Sequence, residues 1–98
     1  MAKIVLGLDC ETVDPLLNTQ GYSWKYEQGH VLCTALYHET EDRVEVIAGL
    51  HNSNSPFPEY ARKISNESIR AILQNPDVML VGANIAYDLG WLLYEYNM

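Results

Sequence analysis

Two runs of consecutive apolar residues constrain the fold most strongly. One lies within a predicted strand over residues 3–9, and the other predicts a strand over residues 78–83. Strands without polar alternation are typical of sheets that are covered on both faces, as parallel strands usually are. Residues 30–37 and 43–48 predict two more strands, and the polar residues 39–42 between them indicate an antiparallel hairpin.

Two helices complete the predicted pattern. The first is capped by Ser65, carries Glu67 in its first turn and ends at Asn75, which precedes a proline. The second opens at Asn84, and its buried face is predicted to carry Leu89, Leu92, Leu93 and Tyr96. The element order is strand, strand, strand, helix, strand, helix. We therefore expect an α/β fold with a mixed sheet whose first and fourth strands are parallel and central.

At 98 residues the chain forms at most one domain, and its composition is that of a globular protein. The chain is 48% hydrophobic and 19% charged, which is the ordinary range for folded proteins. No apolar run approaches the roughly 20 residues of a transmembrane helix, so no membrane partner is predicted. Cys10 and Cys33 form no CxxC motif and are expected to be reduced, which predicts a cytoplasmic protein. Residues 13–29 and 52–56 are predicted to be loops.

The net charge of −7 argues against direct binding of nucleic acid phosphates by this chain. Such binding depends on clustered Lys and Arg side chains. The negative net charge does not exclude an enzyme whose acidic residues hold cations that in turn contact the phosphates.

Acidic side chains follow the first predicted strand and begin the last predicted helix. Asp9 and Glu11 are two residues apart, so they share a strand face with about 6–7 Å between them. Asn84 and Asp88 are four apart and share one side of a helix. If the first and fourth strands are parallel neighbours, Asp9, Glu11 and Asp88 lie at the same sheet edge, where open α/β sheets place their sites.

An acidic cluster of this kind needs a positive neighbour. Two carboxylates about 5 Å apart repel by roughly 3 kcal/mol at an effective dielectric constant near 20. No Lys or Arg is near Asp9, Glu11 or Asp88 in the sequence, and Mg²⁺ or Mn²⁺ prefers carboxylate ligands. Each pair also has a structural explanation, since Asp-x-Glu can be a solvated turn and Asn84 a helix cap with Asp88 favoured in the first turn.

The joint arrangement resembles the proofreading 3′–5′ exonuclease domains of the ribonuclease H-like superfamily, the DEDD exonucleases. "LDCET" looks like their first motif, Asp-x-Glu, and "VGANIAYDLGWL" looks like their second, Asn-x-x-x-Asp before an apolar helix. The segment from "DPLL" to "GYSWKYEQGHVLCTALY" is similar to the N-terminal region of bacteriophage family A DNA polymerases. The resemblance covers essentially the whole chain.

The resemblance implies a two-metal-ion nuclease. In such sites two Mg²⁺ or Mn²⁺ ions about 4 Å apart clamp the scissile phosphate at the 3′ end of single-stranded DNA. Asp9, Glu11 and Asp88 would be the catalytic metal ligands, and Asn84, Thr12 and Tyr87 would lie on the substrate side. Trp24, Tyr26 and Tyr87 could stack bases, with core packing as the alternative for Tyr87.

One departure from the family pattern is important. The family carries a third motif, a Tyr or His four or five residues before a final Asp, and Glu95 is the only acid after Asp88. We therefore expect a partial ribonuclease H-like fold, truncated before its last strand and helix, which is inactive without the remainder of an exonuclease or polymerase chain. A split gene product, a polymerase fragment and a short natural protein would all show this pattern. The alternative is a non-catalytic acidic ribonuclease H-like module that acts as a binding partner or inhibitor.

Overall fold

A five-stranded mixed sheet forms the frame of the molecule in the computed structural model, which describes residues 4–50 and 61–98. Within these residues the strand order is β4-β3-β2-β1-β5, and three α-helices accompany the sheet. The strands are β1 (Ile4–Val13), β2 (His30–His38), β3 (Arg43–Ala48), β4 (Ala61–Lys63) and β5 (Val78–Val81). The loop predicted over residues 52–56 lies outside the described residues.

The pairing directions confirm the main sequence predictions. β2 and β3 form the predicted antiparallel hairpin, and β1 pairs with β2 antiparallel, with Leu8 opposite Leu36. β1 and β5 are parallel, as predicted for the first and fourth strands. β4 was not predicted, and it pairs in parallel with β3.

β1 extends further than the predicted strand, and the prediction that the acids follow its end is wrong. Pairing with β2 continues to Val13, with a shift of register between Glu11 and Thr12. Asp9 and Glu11 therefore lie within the strand. The sequence does not show that the strand continues through them, because polar residues occupy its exposed positions. Only alternate residues of β1 are buried at this end.

β5 is an edge strand, so the prediction that both parallel strands are central is wrong for this one. It pairs only with β1 within the described part of the chain. Met79 is 50% exposed and Val81 is 45% exposed, while Val78 and Leu80 are half-buried. An all-apolar run predicts burial on both faces, but one face of β5 is open.

The predicted loop over residues 13–29 contains two short helical segments. They are α1 (Leu17–Gln20) and a 3₁₀ turn over Ser23–Tyr26. Helix α2 (Ser68–Gln74) begins after Glu67, and Ser65 precedes it as part of a turn rather than as its cap. The Ser65 hydroxyl accepts a hydrogen bond from the Glu67 backbone N–H over 3.3 Å.

Helix α3 (Ile85–Glu95) closes the core against one face of the sheet. Trp91, Leu92 and Tyr96 are buried, and Leu92 and Tyr96 share a cluster with Leu8 of β1. Leu93 was predicted to belong to this face but is 45% exposed, because its position on the helix points away from the sheet. None of the described helices combines the length and apolar character needed to cross a membrane.

Candidate functional site

The site forms where β1 loses its parallel neighbour. β5 pairs with β1 only from Ile4 to Gly7, and the chain then leaves the sheet at Gly82. A Cβ atom at Gly82 would lie 2.7 Å from the carbonyl oxygen of Leu8, so this close approach requires a glycine. Beyond Gly7, the edge of β1 is open to the first turn of α3.

Asp88 occupies this open edge. It lies in the first turn of α3 and is only 5% exposed. Its Oδ1 atom accepts a hydrogen bond from the backbone N–H of Cys10 over 3.4 Å. The carboxylate therefore satisfies a strand donor that β5 no longer pairs with.

Asp9 and Glu11 flank the residue that Asp88 contacts. Cys10 is buried with the core under α3, so its two neighbours project from the other face of the strand, where both are exposed. Neither carboxylate makes a hydrogen bond or an ion pair within the part of the chain that the structure describes. The structure thus brings Asp9 and Glu11 close to Asp88 along the second half of β1, with the two strand acids on the face away from the Cys10 side chain.

Burial, above all, and the two neighbouring acids, Asp9 and Glu11, raise the pKa of Asp88. The hydrogen bond from Cys10 acts on this pKa in the opposite direction. Burial and the same neighbourhood raise the pKa of the Cys10 thiol to about 12, so Cys10 is a neutral core residue. Among the described residues, the charges that shift the pKa of Asp88 are both negative, so the site carries an excess of negative charge near one buried carboxylate.

All three candidate ligands are carboxylates, whose oxygen atoms are the ligands that a hard divalent cation prefers. Among residues 4–50 and 61–98, no three His, Cys, Asp or Glu side chains already converge into a metal-binding group. The exposed Asp9 and Glu11 would have to rotate toward the edge that Asp88 occupies. No described hydrogen bond or ion pair of their carboxylates opposes that rotation.

Thr12 and Tyr87, both predicted to be on the substrate side, contact each other. The Thr12 hydroxyl and the Tyr87 phenol oxygen are 2.7 Å apart. The phenol also donates to Oδ2 of Asp14 over 2.9 Å. Burial raises the pKa of Tyr87, and the hydrogen bond to Asp14 contributes in the same direction, so the phenol stays protonated.

Asp14 is a participant that the sequence did not identify. Its Oδ1 atom accepts a hydrogen bond from the backbone N–H of Ser23 over 2.9 Å. Burial acts to raise the pKa of Asp14, but hydrogen bonds from Ser23 and Tyr87 outweigh it and lower the pKa. The one sequence signal was an Asp-Pro pair directly after a strand, which is typical of any turn.

Of the remaining predicted residues, Trp24 reaches this network through Tyr22, whereas the side chains of Asn84 and Tyr26 do not join it. Asn84 is exposed at the N-cap position of α3, and its side chain makes no capping hydrogen bond. The Tyr22 ring packs edge-on against Tyr87 at 5.3 Å and stacks with Trp24 at 6.2 Å. Tyr26 is 49% exposed and points away, with its hydroxyl on the Gln20 carbonyl.

No family model matches this chain, and no curated protein matches its sequence.

Proposed function

We propose that this chain forms part of a metal-dependent 3′–5′ exonuclease site of the DEDD type, in a partial ribonuclease H-like domain of a DNA polymerase. The observation that carries the proposal is the buried carboxylate of Asp88 on the backbone of Cys10, between Asp9 and Glu11. A buried carboxylate beside two further acids, with its pKa raised by burial and by their charges, favours a functional site over a stabilising one.

The strand arrangement supports the same proposal. An antiparallel unit of β1, β2 and β3, with β5 parallel to β1, is the mixed sheet expected of a partial ribonuclease H-like fold. In that arrangement the acids of β1 and the helix after β5 meet at the carboxyl end of two parallel strands. Ligands of open α/β sheets bind outside these ends.

The roles of the residues follow from their positions. Asp9, Glu11 and Asp88 would hold Mg²⁺ or Mn²⁺, which when bound polarises phosphate oxygens and makes water more acidic. Asp88 is fixed by its hydrogen bond, whereas the exposed Asp9 and Glu11 adjust to the ion. Asn84, Thr12 and Tyr87 would face the 3′ end of a single DNA strand, with the Tyr22 ring packed against Tyr87.

The test is Mn²⁺ binding to the purified chain, followed by electron paramagnetic resonance. We expect weak binding that is lost in Asp9→Asn and retained in Asp77→Asn. Asp77 precedes β5, at the opposite end of the sheet, so its variant makes the same charge change away from the site. Addition of a deoxynucleoside 5′-monophosphate should raise the Mn²⁺ affinity, since its phosphate supplies further oxygen ligands.

One observation favours a second candidate, the non-catalytic acidic binding or inhibitor module. β5 leaves Met79 and Val81 exposed at a sheet edge, and edges of this kind pair readily with other chains. Equal Mn²⁺ binding by the wild type, Asp9→Asn and Asp77→Asn would contradict the nuclease proposal and favour this module.

A further inference from the structure

We propose that Tyr87 and Asp14 are positioning residues, which hold the first turn of α3 against the edge of β1 and so fix the place of the Asp88 carboxylate. The expected effect on metal binding rests on the proposed function, whereas the positioning of Asp88 does not. Tyr87 and Asp14 do not belong to the predicted set of metal ligands.

The direction of each hydrogen bond in the network is determined by its chemistry. An ionised carboxylate only accepts, so the single proton of the Tyr87 phenol is committed to Asp14, at 2.9 Å. The phenol oxygen can then only accept from Thr12, at 2.7 Å, so the Thr12 hydroxyl is the donor of that bond. The order of donation is Thr12 to Tyr87 to Asp14.

Asp14 is itself held in place from its other side. The Ser23 backbone N–H binds Oδ1 at 2.9 Å, which leaves Oδ2 for Tyr87. Ser23 is fully buried, and its hydroxyl accepts from the Leu16 backbone N–H over 2.7 Å. The acceptor for Tyr87 is therefore part of an ordered turn and not a mobile surface carboxylate.

The network joins the immediate neighbours of two candidate ligands. Thr12 follows Glu11 in β1, and Tyr87 precedes Asp88 in α3. Two residues before Thr12 on the same strand, Cys10 donates to Asp88. Alternate residues 10, 12 and 14 thus all contact the first turn of α3, so loss of the phenol hydroxyl should loosen Asp88 from Cys10.

The measurement is the amide hydrogen exchange rate of Cys10, read by NMR and divided by the mean rate of the amides in β2 and β3. Tyr87→Phe keeps the ring that packs against Tyr22 but deletes the hydroxyl. With its oxygen kept on the Ser23 N–H, Asp14→Asn turns an amide Nδ2 toward Tyr87 and so removes the acceptor of the phenol proton. We expect each variant to raise this relative exchange rate about fivefold, which is the size of one net hydrogen bond.

Two controls separate positioning from general destabilisation. Tyr26→Phe removes a phenol hydroxyl outside the network and should leave relative Cys10 exchange unchanged. Thr12→Ser keeps the hydroxyl donor and should leave relative Cys10 exchange unchanged. Thr12→Val removes the donor and should accelerate Cys10 exchange. The Thr12 pair also provides the test if Tyr87→Phe does not fold.

Mn²⁺ affinity provides the second readout. With a wild type that binds Mn²⁺, we expect Tyr87→Phe and Asp14→Asn to weaken binding roughly three- to tenfold. If the wild type binds no Mn²⁺ while Cys10 exchange still accelerates in the variants, the positioning role stands and the nuclease proposal fails. Unchanged relative Cys10 exchange in Tyr87→Phe, Asp14→Asn and Thr12→Val would overturn the positioning role.

Discussion

The backbone N–H of Cys10 donates to the carboxylate of Asp88 over 3.4 Å, across 78 positions of sequence. In a continuous sheet this donor would pair with a carbonyl of the neighbouring strand. Here β5 has already ended, and a side chain from α3 takes the place of the missing carbonyl. An ionisable group thereby enters the edge of the sheet between two other acids.

The first prediction concerns how the charge of the Asp88 carboxylate affects the stability of the fold. Asp88→Asn keeps an acceptor for Cys10 but removes the charge, so in EDTA at pH 7 we expect the free energy of unfolding to rise by about 0.5–1 kcal/mol. For a chain of this size the melting temperature should increase by roughly 2–8 °C. Asp9→Asn should have a smaller effect, because Asp9 is exposed and screened by water.

The pH dependence of this effect follows from linkage. The pKa of Asp88 is raised in the folded chain, so the folded state binds the proton more tightly than the unfolded state does. The cost of the charge is therefore absent below the unfolded pKa of about 3.9 and develops as the pH rises through the folded value. Thermal melts of the wild type and Asp88→Asn at pH 3.5 and pH 7 check this, since the difference between their melting temperatures should be smaller at pH 3.5. An Asp88→Asn variant that is destabilised at pH 7 would show that Asp88 is a structural partner.

The second prediction tests which face of α3 is buried. Leu92→Ala should lower the free energy of unfolding by about 2–4 kcal/mol, because Leu92 is fully buried beside Leu8. Leu93→Ala should cost less than about 1 kcal/mol, because Leu93 is 45% exposed. Urea unfolding of the two variants makes the comparison, and similar losses would mean that both leucines are buried in solution.

The third prediction concerns the close approach that opens the edge of β1. Gly82→Ala places a Cβ atom 2.7 Å from the Leu8 carbonyl oxygen, so backbone must shift, at a cost of about 1–3 kcal/mol. Ala83→Ser, at the exposed next position, is the control and should change stability by less than about 0.5 kcal/mol. Chemical denaturation measures both, and a neutral Gly82→Ala would mean that β5 does not approach β1 this closely.

The fourth prediction concerns activity. We expect the 98-residue chain to show no measurable hydrolysis of a labelled single-stranded oligonucleotide with Mg²⁺ or Mn²⁺. The candidate site offers three carboxylates, those of Asp9, Glu11 and Asp88. Glu95, the one acid after Asp88, is directed elsewhere, because it accepts a hydrogen bond from the Val31 backbone N–H over 3.4 Å. A site short of one ligand binds Mg²⁺ weakly, and an absent general base costs typically 10²- to 10⁴-fold.

The matched comparison for activity is a longer chain that adds a helix with a Tyr or His before an Asp. That chain should degrade the oligonucleotide from its 3′ end and lose activity in Asp9→Asn. Degradation by the 98-residue chain at the same rate would show that another of its residues replaces the fourth carboxylate.

Local patterns determined a large part of this fold. The antiparallel hairpin of β2 and β3 followed from two β-rich segments around a polar turn, and the end of α2 followed from Asn75 before a proline. The shared sheet end of Asp9, Glu11 and Asp88 followed from parallel pairing of the two apolar strands. These features depend on periodicity and on neighbouring residues, which a sequence displays directly.

Only the tertiary structure decided which surfaces meet and which stay open. An apolar run has the same appearance in a central strand and at an edge, so the exposure of Met79 and Val81 could not be predicted. Asp14 lies 73 positions from Tyr87, and no local pattern joins them. The place of Asp88 at the edge of β1 likewise depends on where β5 turns away, and that is set by packing between distant segments, not by the order of residues within any one of them.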